Sequence, residues 1–258
     1  VEALKNLEPQ VEALAPTPEG RAAIPVGAAG ADILYVGLSG AHSIVPAAAI
    51  MNAARENWTL SYFEAVNFGA WLGDAKKQAK ISSRIVEEAE RLGVKEVVVV
   101  ECGTATRVLK FQAGRHSFKV LSIIELIDRY LAEGRIKLKA GTIPGRLTYH
   151  DPCQLARNSG VIEEPRRVIK ALGADFVELT PTREDNWCCG GGGGLISLGE
   201  QEFRMKSSKV KADQVKAAKA GTICTACENC HTQLTELNEH YGLGMEVASL
   251  TNLVAHAL

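Results

Sequence analysis

VKEVVVVEC, residues Val94–Cys102, runs four valines in succession and reads as a strand covered on both faces, the kind that parallel sheets contain. Just upstream, Asp74–Leu92 spaces Ile81, Ile85, Ala89 and Leu92 at helical intervals, and Gly93 stands where a helix C-cap belongs. Downstream, LSIIELIDRYLAEG (Leu121–Gly134) is an amphipathic helix that also stops at a glycine. Further out, ADILYVGLSG (Ala31–Gly40) is a short apolar strand, and the Ala-rich Ser43–Glu56 is helical. Strands alternating with helices predict an α/β fold with parallel sheets.

The pattern then starts again. RLTYHDPC (Arg146–Cys153) is a strand leading into a turn, Glu163–Leu172 a helix with Pro165 in its first turn, and Ala174–Leu179 a strand. A Lys-rich helix over Glu200–Ala220, a strand at Thr222–Cys224, and helices at Cys227–His240 and Ser249–His256 complete it. LYVGLS (Leu34–Ser39) aligns with TYHDPC (Thr148–Cys153), GAWLG (Gly69–Gly73) with NWCCG (Asn186–Gly190), and VVVVECGTA (Val97–Ala105) with TICTACENC (Thr222–Cys230). One unit used twice is the simplest account. It divides the chain into a linker over residues 1–30, a first lobe over 31–144 and a second over 145–258.

The halves differ in their thiols. Ser39, Trp71, Leu72 and Ala105 stand where the second half has Cys153, Cys188, Cys189 and Cys230, and Cys102 stands opposite Cys227. The first lobe is thus degenerate, with too few thiols for a cluster. In the second, Cys153 is followed after 34 residues by the pair Cys188-Cys189, and after 37 more, beginning with Gly190, by Cys227-x-x-Cys230.

Composition narrows the chemistry. Among 258 residues, Lys plus Arg (29) nearly balances Asp plus Glu (30), which argues against a nucleic-acid partner. No apolar run is long enough to cross a membrane. The opening residues are not built as a secretory signal, and a linker at Val1 points to further sequence upstream. Seven cysteines, an odd number without a signal, make a poor disulfide framework; in a reducing cytoplasm they suggest metal or redox chemistry. Thiolates suit iron–sulfur clusters, zinc or copper(I), but five or six exceed the four a structural zinc takes, and adjacent cysteines are better placed to reach different metal atoms. The glycines Gly190–Gly194 let backbone approach such a group and aim N–H donors at its sulfurs. A phosphate cradle fits less well, because no Lys-Ser/Thr follows.

Cys153…Cys188-Cys189-Gly190…Cys227-x-x-Cys230 resembles the cysteine-rich CCG module of heterodisulfide reductase catalytic subunits. YHDPCQLARNSG (Tyr149–Gly160), NWCCGGGGG (Asn186–Gly194) and CENCHTQL (Cys227–Leu234) carry the resemblance in the second half. FEAVNFGAWLGD (Phe63–Asp74) and ECGTATRVLKF (Glu101–Phe111) carry it in the first. The match is nearest to the heterodisulfide-reductase-like subunit of a sulfite-reduction-associated membrane redox complex. The resemblance implies two tandem CCG lobes and a noncubane [4Fe–4S] cluster in the intact one. Cys153, Cys188, Cys189, Cys227 and Cys230 would be its ligands, with Gly190 and Gly191 beside it. It implies direct cleavage of a disulfide or trisulfide, one electron at a time, with Cys153, Cys188 and Cys189 at the reacting centre; His150, three residues before Cys153, is a further catalytic candidate by its own chemistry. The implied partners are a small sulfur-carrier protein or disulfide substrate and other subunits, holding the chain on the cytoplasmic face of the inner membrane. The C-x-x-C-x-x-C-x-x-x-C-P runs that bind cubane clusters in relatives do not occur in this chain, so electrons would arrive from elsewhere.

Other readings stay open beside it. The same cluster could relay electrons in a lactate- or glycolate-oxidising complex, or Cys224, Cys227, Cys230 and one of the pair could bind zinc in an interaction module. Cys224 reads as a buried small residue, and Cys102 as a packed relic of the duplication or, alternatively, a thiol across the lobe interface. His150 and Asp151 could donate a proton to a thiolate or be ordinary strand-end residues. His231 is a candidate neighbour of the site. His42, His116, His240 and His256 read as solvent-facing, and Lys206, Lys209, Lys211, Lys216 and Lys219 as a solvated face.

Overall fold

The computed structural model describes residues 2–16, 23–63, 73–192 and 194–258. In one four-stranded sheet, β1 (Ile33–Gly37), β2 (Trp58–Tyr62), β3 (Glu96–Val99) and β4 (Lys119–Ser122) run in the order β2-β1-β3-β4. In a second, β5 (Arg146–His150), β6 (Asp175–Val177), β7 (Thr222–Thr225) and β8 (Glu246–Ser249) run in the order β6-β5-β7-β8. Every pairing is parallel, and corresponding strands hold corresponding places. The fold is α/β, one topology built twice, with helices flanking both sheets. Val97, Val98 and Val99 are fully buried, as a strand covered on both faces requires.

Local signals account for many boundaries. Asp74 caps the helix Ala75–Leu92 by accepting from Lys77 N–H, and Gly93 closes it at φ 70°. Ser122 and Glu125 form a reciprocal capping box at the start of Ile123–Ala132. The reading of Leu121 and Ser122 as helical is corrected, since both belong to β4. Strands β2, β4 and β8 and the helix Gly103–Phe111 went unread, because each is short and its apolar residues are too few to set a period. The Lys-rich stretch is two helices, Gln201–Ser207 and Lys209–Ala218, broken at Ser208. Most of Phe63–Asp74, including Trp71 and Leu72, and also Gly193, lies outside the described residues.

The described part of the stretch read as a linker packs onto the first sheet. Glu8–Leu14 lies against the helix Ala41–Ala53 with Val11 fully buried, and Val26 bridges to Leu60. The reason is plain in the hydrogen bonds: Pro25 O accepts from Leu60 N–H, and Gly27 N–H donates to Leu60 O, extending the edge at β2.

A single apolar core runs through both lobes, from Leu34 and Val98 to Leu147, Tyr149 and Val254. The contact is pseudo-symmetric: Ile123–Ala132 packs on Glu164–Ala171, and Leu250–His256 on Ala41–Ala53. A smaller core, including Leu179, Met205, Ala212, Ile223 and Leu234, lies within the second lobe. The loops after β3, β5 and β7 meet where the lobes join. There a Cβ on Gly103 would stand 2.8 Å from Leu155 N and 3.0 Å from Gln154 Cβ, so only glycine lets the chains pass.

A candidate metal centre of five thiols

Each cysteine of the second-lobe pattern reaches one place by a different local device. Cys153 follows β5, and its loop is pinned by Asp151, which accepts from Arg166 (2.8 and 2.9 Å) and from Arg183 N–H (2.9 Å). Cys227 precedes the helix Glu228–Tyr241, and Cys230 lies in that helix's first turn. Cys188 and Cys189 arrive on the glycine turn. Gly190 and Gly191 N–H donate to Cys188 Sγ and Cys189 Sγ, each at 3.4 Å. Gly190 has φ 88°, and an added Cβ would meet Ser208 Cβ at 2.8 Å; at Gly191 it would meet Gln233 Cβ at 2.8 Å. The glycines therefore serve close packing as well as donation.

The sulfurs converge on one place. Cys189 Sγ lies 3.3 Å from Cys230 Sγ, and the thiols of Cys153 with Cys188, Cys188 with Cys189 and Cys227 with Cys230 are near enough to shift one another's acidity. Donation from the Cys153 and Cys189 thiols and from Gly190 N–H pulls Cys188 well down. The donors Cys153 and Cys189 are pushed up, first by their bonds to Cys188 and then by burial. Cys189 and Cys230 form the buried end, while Cys188 is exposed and Cys153 half-buried. Trp187, 48% exposed, stands beside the open end.

Around the buried end lies a polar arrangement that the sequence pattern concealed. A ring nitrogen of His150 and the sulfurs of Cys189 and Cys230 all lie within 4.8 Å of one another. His150 is fully buried; desolvation first, then the Lys211 charge, holds its pKa well below the usual range. Its Nδ1 meets Asn186 Nδ2 at 3.2 Å, and its Nε2 has no protein partner among the described residues. Asn186 Oδ1 accepts from Lys211 Nζ at 2.7 Å, and Asn186 Nδ2 also donates to Asp151 O.

The reading of Lys211 as part of a solvated face is corrected. Its side chain is fully buried, and Asn186 and Gln214 accept from it. Burial pulls its pKa down to about 8, against the opposing pull of the Cys189, Cys230 and Cys188 sulfurs. The missed signal was position: Met205, Ser208, Ala212 and Val215 mark one buried stripe, and Lys211 falls on it. Lys206 and Lys209 do face solvent, paired with Glu202 and Asp213.

The remaining candidates separate cleanly. Asp151 is committed to Arg166 and to the Thr182–Arg183 turn rather than to the sulfurs. Cys224 is fully buried in the shared core, where desolvation pushes its thiol up, and takes no part in the gathering of sulfurs. Cys102 crosses the lobe interface into electrostatic range of Cys227, and burial pushes it up to about 12. His231 lines a separate cavity of about 380 Å³ with Thr142, Pro144 and Ser249. His42 is exposed but pairs with Glu228 at 3.0 Å, and His116 is half-buried against Phe118 and Leu109 carbonyls.

Glu101 braces the site from the first lobe. Its carboxylate accepts from Thr251 N–H (2.8 Å) and Oγ1–H (2.6 Å), and its carbonyl accepts from Glu228 N–H (2.9 Å). Burial pushes the carboxyl up from 4.5 to about 7, although the Thr251 donors oppose it. Because the unfolded chain then releases this proton first, stability is highest at acid pH and falls as the pH rises through 4.5 to about 7. Glu101→Gln keeps an acceptor without the titration. Urea unfolding at pH 5 and pH 8 should show the wild type losing about 3 kcal/mol more than the variant. Equal losses would show that Glu101 is not held in this way.

The donor set fits an iron–sulfur group. Five soft sulfurs exceed a four-ligand zinc site, two backbone N–H groups point at them, and a ring nitrogen of the buried His150 lies within 4.8 Å of two of them.

Residues 147–235 match the family model described as a cysteine-rich domain, CCG. The chain is 30% identical over 174 residues to an EtfAB:quinone oxidoreductase of Syntrophomonas wolfei, covering 64% of this chain and 24% of that protein. It is 31% identical over 142 residues to one component of the dihydromethanophenazine:CoB--CoM heterodisulfide reductase of Methanosarcina acetivorans, covering 55% and 34%. Against Hdr-like menaquinol oxidoreductase iron-sulfur subunit 2 of Archaeoglobus fulgidus, identity is 25% over 287 residues, covering 89% and 51%. The chain thus spans between about a quarter and about half of the length of these relatives. Residues 147–235 are thus a CCG cysteine-rich domain, and the chain is similar to heterodisulfide reductase and to Hdr-like menaquinol oxidoreductase iron–sulfur subunits.

Proposed function

We propose that the chain holds a noncubane [4Fe–4S] cluster on Cys153, Cys188, Cys189, Cys227 and Cys230, and acts on sulfur–sulfur bonds. The reaction is reduction of a disulfide or trisulfide, or oxidation of the matching thiols. For a disulfide, two electrons and two protons convert one S–S bond into two thiols. The observation that supports this reading is the gathering of five cysteines, with Cys189 and Cys230 in contact at the buried end and Cys188 and Cys153 toward solvent. When bound, the cluster supplies single electrons to sulfur at that site. The chain's own residues do the rest: Cys153 and Cys188 face the incoming substrate, and His150 presents a ring nitrogen from the buried side.

The substrate class is a small sulfur-carrier protein or another disulfide, and electrons come from other subunits of a membrane-associated complex. Partner subunits would hold the chain at the cytoplasmic face; among the described residues no helix is long and apolar enough to cross a membrane. A second reading, electron relay without sulfur chemistry, draws on relatives named for quinone and menaquinol oxidoreduction.

Metal analysis and EPR on anaerobically purified protein separate the two. About four irons and four sulfides per chain are expected. The EPR signal should change when a dithiol or disulfide is added. Iron with an unresponsive signal would favour the relay, and zinc without iron would end both readings.

A further inference from the structure

We propose that Lys211 and Asn186 lock His150 in the tautomer protonated on Nε2, making it an N–H donor to the Cys189 and Cys230 sulfurs rather than a metal ligand. The inference rests on the cluster reading above.

It follows from donor and acceptor inventory. A lysine ammonium can only donate, and the Lys211 Nζ contact at 2.7 Å therefore requires an oxygen from Asn186. That fixes the orientation of the amide, which is otherwise ambiguous between oxygen and nitrogen. Asn186 Nδ2 must then face Asp151 O and His150 Nδ1, and an amide N–H against Nδ1 makes Nδ1 the acceptor. The imidazole proton is left on Nε2, the buried atom that has no partner among the described residues. A buried N–H normally has an acceptor, and the sulfurs within 4.8 Å of the ring are the ones to hand.

The same relay brings a buried cation toward a group of anionic sulfurs. Lys211 is held by two neutral amide oxygens, of Asn186 and Gln214, and its charge is felt by the Cys189, Cys230 and Cys188 sulfurs first and by Asp151 after them. Donors and positive charge on ligand sulfur favour the reduced state of such a group. Lys211 and Asn186 are therefore positioning residues, acting through His150.

The test is an EPR-monitored redox titration of the full chain, with iron content measured on the same samples. Lys211→Met removes the donor that orients Asn186. Asn186→Asp puts an acceptor against Nδ1, which draws the proton there and leaves Nε2 a bare lone pair. Both variants should keep their iron and become about tenfold harder to reduce, a fall of 59 mV for one electron. In a His150→Gln background, Lys211→Met should have a smaller effect, since part of its action runs through the ring. Pulsed EPR of the wild type should show no directly ligated nitrogen.

Unchanged potentials in both variants, or a strongly coupled histidine nitrogen, would overturn the proposal. So would iron loss from both variants with native circular dichroism, because the residues would then hold the metal rather than tune it. If Lys211→Met fails to fold, the near-isosteric Asn186→Asp decides alone. Wild-type protein without iron marks failure of the cluster reading itself, and that is seen before any variant is made.

Discussion

Cys188→Ser and Cys189→Ser each lose the iron and the activity together, from about four irons per chain to below one, whereas Cys224→Ser keeps both. The expectation rests on where the thiols gather. Cys188 is near enough to Cys153 and Cys189 to shift their acidity, and Cys189 touches Cys230, so either change removes a donor from the group. Serine is close in size but is a hard oxygen donor, poorly suited to the soft metals that thiolates hold. Cys224 has the same residue type and lies three positions before Cys227, yet it is fully buried in the shared core among apolar neighbours. Its substitution leaves a small packing defect and no missing ligand. Iron and sulfide assays with the visible spectrum of each variant decide the matter. Bleaching of Cys224→Ser as complete as that of Cys188→Ser would make the ligand set wrong.

Arg166→Met destabilises the second lobe by about 3–5 kcal/mol, the range for a buried ion pair that loses one partner. Arg166 is 8% exposed and Asp151 1%, and the pair is doubly hydrogen-bonded. Arg166 also binds Glu178 and Thr182, so its loss leaves the buried Asp151 carboxylate with only the Thr182 hydroxyl and Arg183 N–H as donors. The consequence reaches the site, because Asp151 lies two residues before Cys153 and holds the Arg183 backbone. Urea unfolding would show the loss of stability, and iron retention should fall with it. A change below 1 kcal/mol would show that the network adds little net stability.

Position in the chain explains what could be read in advance. The parallel sheets were legible because β1 and Val97–Val99 of β3 are apolar runs, and their shortness and β-branched valines favour a doubly covered strand over a buried helix. The duplication was legible because both halves keep equivalent residues at equivalent spacing, and the structure repeats one strand order. The five thiols were legible as a set because soft donors are rare and were clustered. Edge strands β4 and β8 were not, since four residues with mixed burial carry no period.

The site's surroundings were hidden for a different reason. Lys211 carries the same letter as its exposed neighbours Lys206 and Lys209, and a charge count along a helix cannot tell which lysine is turned inward. Asn186 reveals its role only when Lys211 and His150 stand on either side of it. Cys102 and Glu101 belong to the degenerate lobe and matter only because the lobes share a core that brings the loop after β3 against Cys227 and Glu228. The sequence alone therefore determined the α/β class, the repeated unit and the grouping of the cysteines, all properties of local pattern and residue chemistry. Tertiary structure decided which thiols touch, which lysine is buried and what the first lobe contributes, because contacts between distant segments follow from packing and leave no local trace.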